Sequence, residues 1–175
     1  IKIHFAGSDN VFNSTVGLKL ADVNYRLYTC YPFIVNKKIT DDFTLKSDAP
    51  MMRKDLQFKH VIQDSGLFTL MFGAAKDKQL TYDDLVDWQD KLIKFTNSND
   101  LQQTCVEVDC QKVLSPEDAW KLRYRMRDKL KNRQINVFHK EDGRKGLDRL
   151  IEFAEYIAIS VPELRITNPK TLRED

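Results

Sequence analysis

The stretch "KHVIQDSGLFTLMFG", residues 59–73, decides the fold class. Its apolar pair Val61 and Ile62 is followed within two residues by a carboxylate, Asp64, and then at once by Ser65 and Gly66. A carboxylate at the end of a buried strand costs free energy through lost hydration, unless a turn or a reaction uses the group. The pattern therefore predicts a strand over residues 60–64 that ends in a polar turn.

Composition indicates one folded domain that covers residues 1–175, because 42% of the residues are hydrophobic, 31% are charged and the net charge is only +2. The three cysteines, Cys30, Cys105 and Cys110, lack the spacing of a metal site. They predict free thiols and a cytoplasmic location. No apolar stretch is long enough to span a membrane, and neither a signal peptide nor a membrane partner is expected.

Short apolar runs alternate with helical patterns along the chain. Strands are predicted at 1–7, 25–31, 60–64, 104–110, 135–139 and 156–160. Helix starts are predicted at Thr81, where Asp84 would complete a capping box, and at Ser115, which precedes a proline and two acids. A third helix is predicted from Gly146 to Ala158. Residues 32–58 are predicted to form an irregular insertion.

Strands that alternate with helices predict an α/β fold with a parallel sheet. Two architectures fit: a doubly wound open sheet and a (β/α)₈ barrel of the TIM type. A barrel needs about 250 residues, so this chain would contain only its first six strands. The doubly wound alternative is weakened because no glycine-rich phosphate loop follows any predicted strand.

Four of the predicted strands end in polar residues: Asp64-Ser65-Gly66, Asp109, His139 and Ser160. Taken singly, the aspartates could cap turns and the histidine could be structural. The carboxyl ends of parallel strands line the active site in α/β folds, however, so all four would face one cavity. Their shared position predicts a functional site.

Three segments resemble the tRNA-guanine transglycosylase family: "IQDSGLFTLMFG", "VEVDCQ" and "VFHKED". The resemblance covers roughly residues 60–160. It is strongest to the short phage and bacterial members that insert 7-deazaguanines into DNA. It implies a (β/α)₈ barrel and a base exchange, in which guanine leaves through a covalent enzyme–nucleotide intermediate and a 7-deazaguanine derivative replaces it.

The chemistry of guanine then suggests a role for each residue. Asp109 would accept hydrogen bonds from N1–H and the exocyclic amine of guanine, and Asp64 would carry a proton to and from the leaving base. Ser65 and Gly66 would offer backbone amides to the ring carbonyl. Phe68, and less surely Phe138, would stack on a flipped base, although burial of Phe68 in the core is the favoured alternative. His139 and Ser160 complete the predicted base-binding set.

The sequence also departs from the family, with Leu67 and Thr69 where the family has glycine and glutamine. The family's nucleophilic aspartate and zinc cluster lie on later segments, so the chain is expected to be a fragment or a degenerate member, with no cofactor or zinc of its own.

Its expected partners are DNA or tRNA and a 7-deazaguanine base, and a homo-oligomer stays open. The alternative function is a non-catalytic barrel that binds nucleic acid or a protein. An aldolase or radical lyase is disfavoured. The cations of residues 121–133 are expected to form a solvated outer helix face.

Overall fold

The computed structural model describes residues 4, 17, 20–36, 39–44, 58–71, 79–99, 103–160, 167–168 and 173–174. Strands and helices alternate along this part of the chain. The strands are β1 (Tyr25–Thr29), β2 (His60–Asp64), β3 (Gln103–Val106), β4 (Arg133–Phe138), β5 (Tyr156–Ile159), β6 (Thr167–Asn168) and β7 (Arg173–Glu174). The helices are α1 (Tyr31–Val35), α2 (Leu67–Thr69), α3 (Tyr82–Ser98), α4 (Pro116–Lys129) and α5 (Gly143–Phe153), with a 3₁₀ turn at Lys140–Asp142.

The first five strands form one parallel sheet in the order β1-β2-β3-β4-β5. The predicted α/β class with a parallel sheet is therefore confirmed, and five of the six predicted strands are present. The strand predicted at 1–7 lies outside the described residues except for His4. The order of these five strands follows the chain without reversal, so they contain no switch point of a doubly wound sheet.

Helices cover one face of the sheet, and a chain of hydrogen bonds marks that face. Tyr28 of β1 donates to Gln63 of β2 at 2.8 Å, and Gln63 donates to the hydroxyl of Thr96 in α3 at 2.7 Å. All three side chains are buried. Since side chains alternate along a strand, Asp64 points to the opposite face from Gln63. This opposite face is only half-buried at Ile62 and Asp64.

Two helices begin where the sequence predicts. The Thr81 hydroxyl accepts from the amide of Asp84, whose carboxylate accepts from the amide of Thr81, so the capping box at the start of α3 is confirmed. Ser115 caps α4 in the same way, by accepting from the amide of Asp118. Each cap satisfies backbone amides that lack a partner within the helix.

Two predicted boundaries need correction. The third helix runs over Gly143–Phe153 and not from Gly146 to Ala158, because the chain leaves the helix at Ala154 and enters β5. Within the segment 32–58, residues up to Val35 belong to helix α1, which has a proline in its first turn. Residues 45–57 of this segment lie outside the described residues.

Candidate functional site

Three of the predicted site residues lie at the carboxyl ends of adjacent parallel strands. Asp64 is the last residue of β2, Asp109 lies in the loop three residues after β3, and His139 directly follows β4. The sheet order β2-β3-β4 places these ends side by side. The predicted convergence of the three residues at one end of the sheet is therefore observed.

The turn after β2 depends on glycine at position 66. The Asp64 carboxylate accepts from the Gly66 amide at 2.9 Å, and Gly66 has a φ of 72°. A Cβ at this position would lie 2.9 Å from Cβ of Tyr31 and 3.0 Å from the hydroxyl of Thr29. Both the backbone angle and the close packing thus require glycine. Because Asp64 already uses the Gly66 amide, that amide is less available to a substrate than the sequence suggested.

Ser65 is buried and serves the packing of this turn. Its carbonyl accepts from the indole nitrogen of Trp88 in α3 at 2.9 Å, and its hydroxyl accepts from the amide of Leu67 at 3.4 Å. These bonds fix the strand end against α3. They hold Asp64 at the open face while its neighbour lies in the core.

The environment of Asp64 shifts its pKa upward. Burial raises the pKa of Asp64 above its ordinary value, and the charge of Asp109 raises this pKa further, while the hydrogen bond from Gly66 acts in the opposite direction. Two neighbouring carboxyl groups disfavour each other's ionisation. Asp64 therefore loses its proton at a higher pH than an ordinary aspartate.

Asp109 and His139 form a hydrogen-bonded pair. The imidazole Nε2 of His139 donates to a carboxylate oxygen of Asp109 at 3.3 Å. His139 is 4% exposed, whereas the Asp109 side chain is 33% exposed. The histidine thus orients the carboxylate from the protein side, and the carboxylate presents its remaining acceptor positions to solvent or to a ligand.

A buried ion pair supports this loop, and the sequence prediction missed it. The Glu107 carboxylate accepts from Nε of Arg123 at 3.1 Å, from the Asn136 amide group at 2.6 Å and from the backbone of Val137 at 2.9 Å. Arg123 also donates to the Val137 carbonyl at 2.9 Å and lies 3.6 Å from a carboxylate oxygen of Asp142. The expectation of a solvated face over residues 121–133 is therefore wrong for Arg123, which is 2% exposed.

Asp142 connects this ion pair to the histidine. Its carboxylate accepts from the backbone amide of His139 at 3.1 Å. The ion pair therefore holds both the segment before Asp109 and the turn after β4. One feature of the sequence indicates this ion pair. Glu107 is a carboxylate between Val106 and Val108, and a carboxylate buried at such a position needs a cation as its partner.

The other predicted base-binding residues, Phe68, Phe138 and Ser160, lie in three different environments. Phe68 is 72% exposed, so the expectation that it is a core residue is wrong, and its ring is accessible for stacking. Phe138 lies on the same face of β4 as Asn136, which is the helix side, and so on the opposite face from His139. Ser160 follows β5 and donates its amide to the Phe138 carbonyl at 3.2 Å.

Gln111, two residues after Asp109, adds a polar group to this loop. Its amide nitrogen donates to the Val137 carbonyl at 3.1 Å, while its side-chain oxygen is buried without a hydrogen-bond partner. The loop after β3 thus carries both the Asp109 carboxylate and an unused acceptor.

Comparison of the chain with protein-family models, with curated proteins and with solved structures finds no match. Within the described part of the chain, no group of three or more His, Cys, Asp or Glu side chains is arranged to hold a metal ion. Among the same residues, no helix combines the length and the apolar character needed to cross a membrane. The geometry of the strand ends is therefore the basis for any statement about function.

Proposed function

We propose that the parallel sheet is part of a (β/α)₈ barrel and that the protein is a nucleobase-exchange transglycosylase. It would replace guanine in nucleic acid, in DNA rather than tRNA, by a 7-deazaguanine derivative. One observation carries the proposal: two carboxyl groups, Asp64 and Asp109, lie at the carboxyl ends of neighbouring parallel strands, and one of them has a raised pKa.

The two carboxyl groups have different roles because their surroundings differ. Asp109 is partly exposed and is oriented by His139, so it can accept two parallel hydrogen bonds from N1–H and the amine of guanine. Asp64 is more buried and its pKa is raised by that burial, so it retains its proton to a higher pH than an ordinary aspartate, which suits a group that exchanges a proton with the leaving base. The exposed ring of Phe68 can stack on a base that has been flipped out of the strand.

The second candidate function is base binding without catalysis. The hydrogen bond from Gly66 to Asp64 favours it, because a carboxylate that only caps a turn would make the same bond. In that case Asp109 would still read the base, and Asp64 would have no part in a reaction. In both functions Asp109 therefore binds the base, and they differ in whether Asp64 transfers a proton.

Calorimetric titration with guanine and with 7-deazaguanine tests whether Asp109 binds the base. Asp109→Asn places an amide donor against a guanine donor and removes the charge, so we expect binding to weaken by about 2–4 kcal/mol, or roughly 30- to 1,000-fold. Asp148→Asn is the matched control, because Asp148 is 54% exposed and pairs with Arg144 on the surface of α5. Equal affinities of the Asp109→Asn variant and the wild type would remove Asp109 from the site.

A further inference from the structure

A chain of hydrogen-bonded side chains crosses the sheet at the end opposite to the candidate site. The ring nitrogen Nε2 of His4 lies 3.0 Å from Nδ1 of His60, and Nε2 of His60 lies 2.8 Å from the Thr104 hydroxyl in β3. His60 is the first residue of β2 and Asp64 is the last, so about 13 Å of strand separates them. The His4–His60 pair is therefore distinct from the groups proposed to bind the base.

The His4–His60 pair is half-buried on the face of the sheet that also carries Asp64. The ring of Tyr25 in β1 contacts it, since its centre lies 5.4 Å from that of His4 and Tyr25 is opposite His60 in the strand register. The Thr104 hydroxyl can accept from Nε2 of His60, which leaves Nδ1 of His60 to accept from His4. Contacts with β1, β2 and β3 thus fix the position of the His4 ring.

The charged groups of the described elements around the pair are two cations and one carboxylate. Arg133 of β4 is opposite Thr104 in the register and so lies on the same face, and Lys59 is exposed and directly precedes His60. Asp22, in the turn before β1, is exposed and accepts from the side chain of Asn24. The cations oppose a second positive charge on the pair, and the exposed carboxylate offsets this effect only weakly.

The number of protons on the pair decides whether its hydrogen bond can exist. Two neutral imidazoles can form the bond, because one nitrogen carries a proton and the other has a lone pair. After one proton is added, the bond remains and becomes charge-assisted. After a second proton is added, every ring nitrogen is a donor, so the bond is lost and two like charges face each other.

We propose that the His4–His60 pair is an acid-sensitive contact that holds His4 against the sheet until both rings are protonated. The pair binds its first proton with the contact intact and its second proton only when the contact opens. Histidine ordinarily titrates between about pH 5 and 8, so acidification through this range opens the contact. As pH falls, stability from the contact rises with the first proton and is lost with the second, so it is greatest between the two steps.

Proton NMR of the imidazole rings of the whole chain, from about pH 4 to pH 9, tests this proposal. The chain has only three histidines, so the variants His4→Gln and His60→Gln assign every signal. In the wild type, the signals of His4 and His60 should move in two common steps that are more than about one pH unit apart. In His4→Gln, His60 should titrate in a single step between these two. His139, at the other end of the sheet, is the internal control and should titrate alike in both proteins.

Nuclear Overhauser contacts between the rings of His4 and Tyr25 report directly on opening. They should be present at neutral pH and absent once the second step is complete. Contacts between Phe33 and Phe95, whose rings stack in the core, should persist and so show that the fold is intact.

Four results would overturn the proposal. They are a single independent step for each histidine in the wild type, an unchanged titration of His60 in His4→Gln, a His4–Tyr25 contact that persists after both rings are protonated, and loss of the Phe33–Phe95 contact at the same pH as the His4–Tyr25 contact. The last result would mean that acid unfolds the whole protein and does not act on the pair.

Discussion

Asp64 combines a structural contact with a raised pKa. Its carboxylate accepts the Gly66 amide, which keeps the turn after β2 closed. Burial, and then the charge of Asp109, raise its pKa above the ordinary value of 3.8. An asparagine can still accept the Gly66 amide but cannot transfer a proton. A single substitution therefore separates the two properties.

Asp64→Asn should lower base exchange by at least about 10²-fold, which is the usual cost of losing a general acid or base. The measurement is incorporation of labelled guanine into DNA and tRNA by the full-length protein. Asp87→Asn is the control, because Asp87 is 68% exposed and pairs with Lys91. Unchanged exchange in Asp64→Asn would remove the catalytic role, and no exchange by the wild type on either substrate would favour the binding-only alternative.

The same variant should not lose stability at neutral pH. An acid with a raised pKa in the folded state contributes most to stability below its unfolded pKa, and this contribution is lost as pH rises through the folded pKa. At pH 7 the ionised Asp64 therefore destabilises the fold, and Asp64→Asn removes that cost. Urea unfolding from pH 4 to pH 8 should show a smaller decline with pH for the variant than for the wild type. A variant that is less stable than the wild type at pH 7 would contradict the raised pKa.

At the scale of elements, helix α4 positions the loops that follow β3 and β4. Arg123 reaches from α4 to Glu107 before the Asp109 loop and lies near Asp142 after β4. Burial raises the pKa of Glu107, and Arg123 offsets part of this effect. Such a pair does not need to stabilise the fold on balance, but it fixes one arrangement of the two loops.

Arg123→Met should destabilise the protein by about 3–5 kcal/mol, because it leaves a buried carboxylate without its cation. Lys121→Met is the matched control on the same helix, since Lys121 is exposed, and it should change stability by less than about 0.5 kcal/mol. The double variant Glu107→Gln with Arg123→Met should recover part of the loss. Denaturant unfolding measures all three, and an equal loss in the single and double variants would show that the charge of Glu107 is not the cause.

Local signals made some elements predictable and left others undetermined. The starts of α3 and α4 follow from Thr81 and Ser115, because a cap needs only residues within one turn. The end of α5 had no such signal, since neither glycine nor proline separates Phe153 from Tyr156. Apolar residues continue from the helix into β5, and pairing with β4 decides where the strand begins.

At the scale of the whole molecule, the order of the strands explains which part of the site was predictable. Alternating strands and helices imply a parallel sheet, and a parallel sheet brings the residues after successive strands together. This placed Asp64, Asp109 and His139 at one end. The pairing of Arg123 with Glu107 depends instead on how α4 packs against the sheet. The hydrophobic pattern of α4 does not determine that packing, because an arginine occupies one of its buried positions.

The three cysteines report on the whole fold, because all of them lie in its core. Cys30, Cys105 and Cys110 are free thiols, each at most 1% exposed, and burial raises the pKa of both Cys105 and Cys110 to about 12. The thiolate is the reactive form, so none of them should react with a thiol reagent such as DTNB at pH 8 while the protein is folded. In urea, all three should react at once. Under native conditions we expect them to react together, at the rate of global unfolding, because all three belong to the same hydrophobic core. One thiol that reacts ahead of the other two would show that the sheet and helices separate locally and do not unfold as one unit.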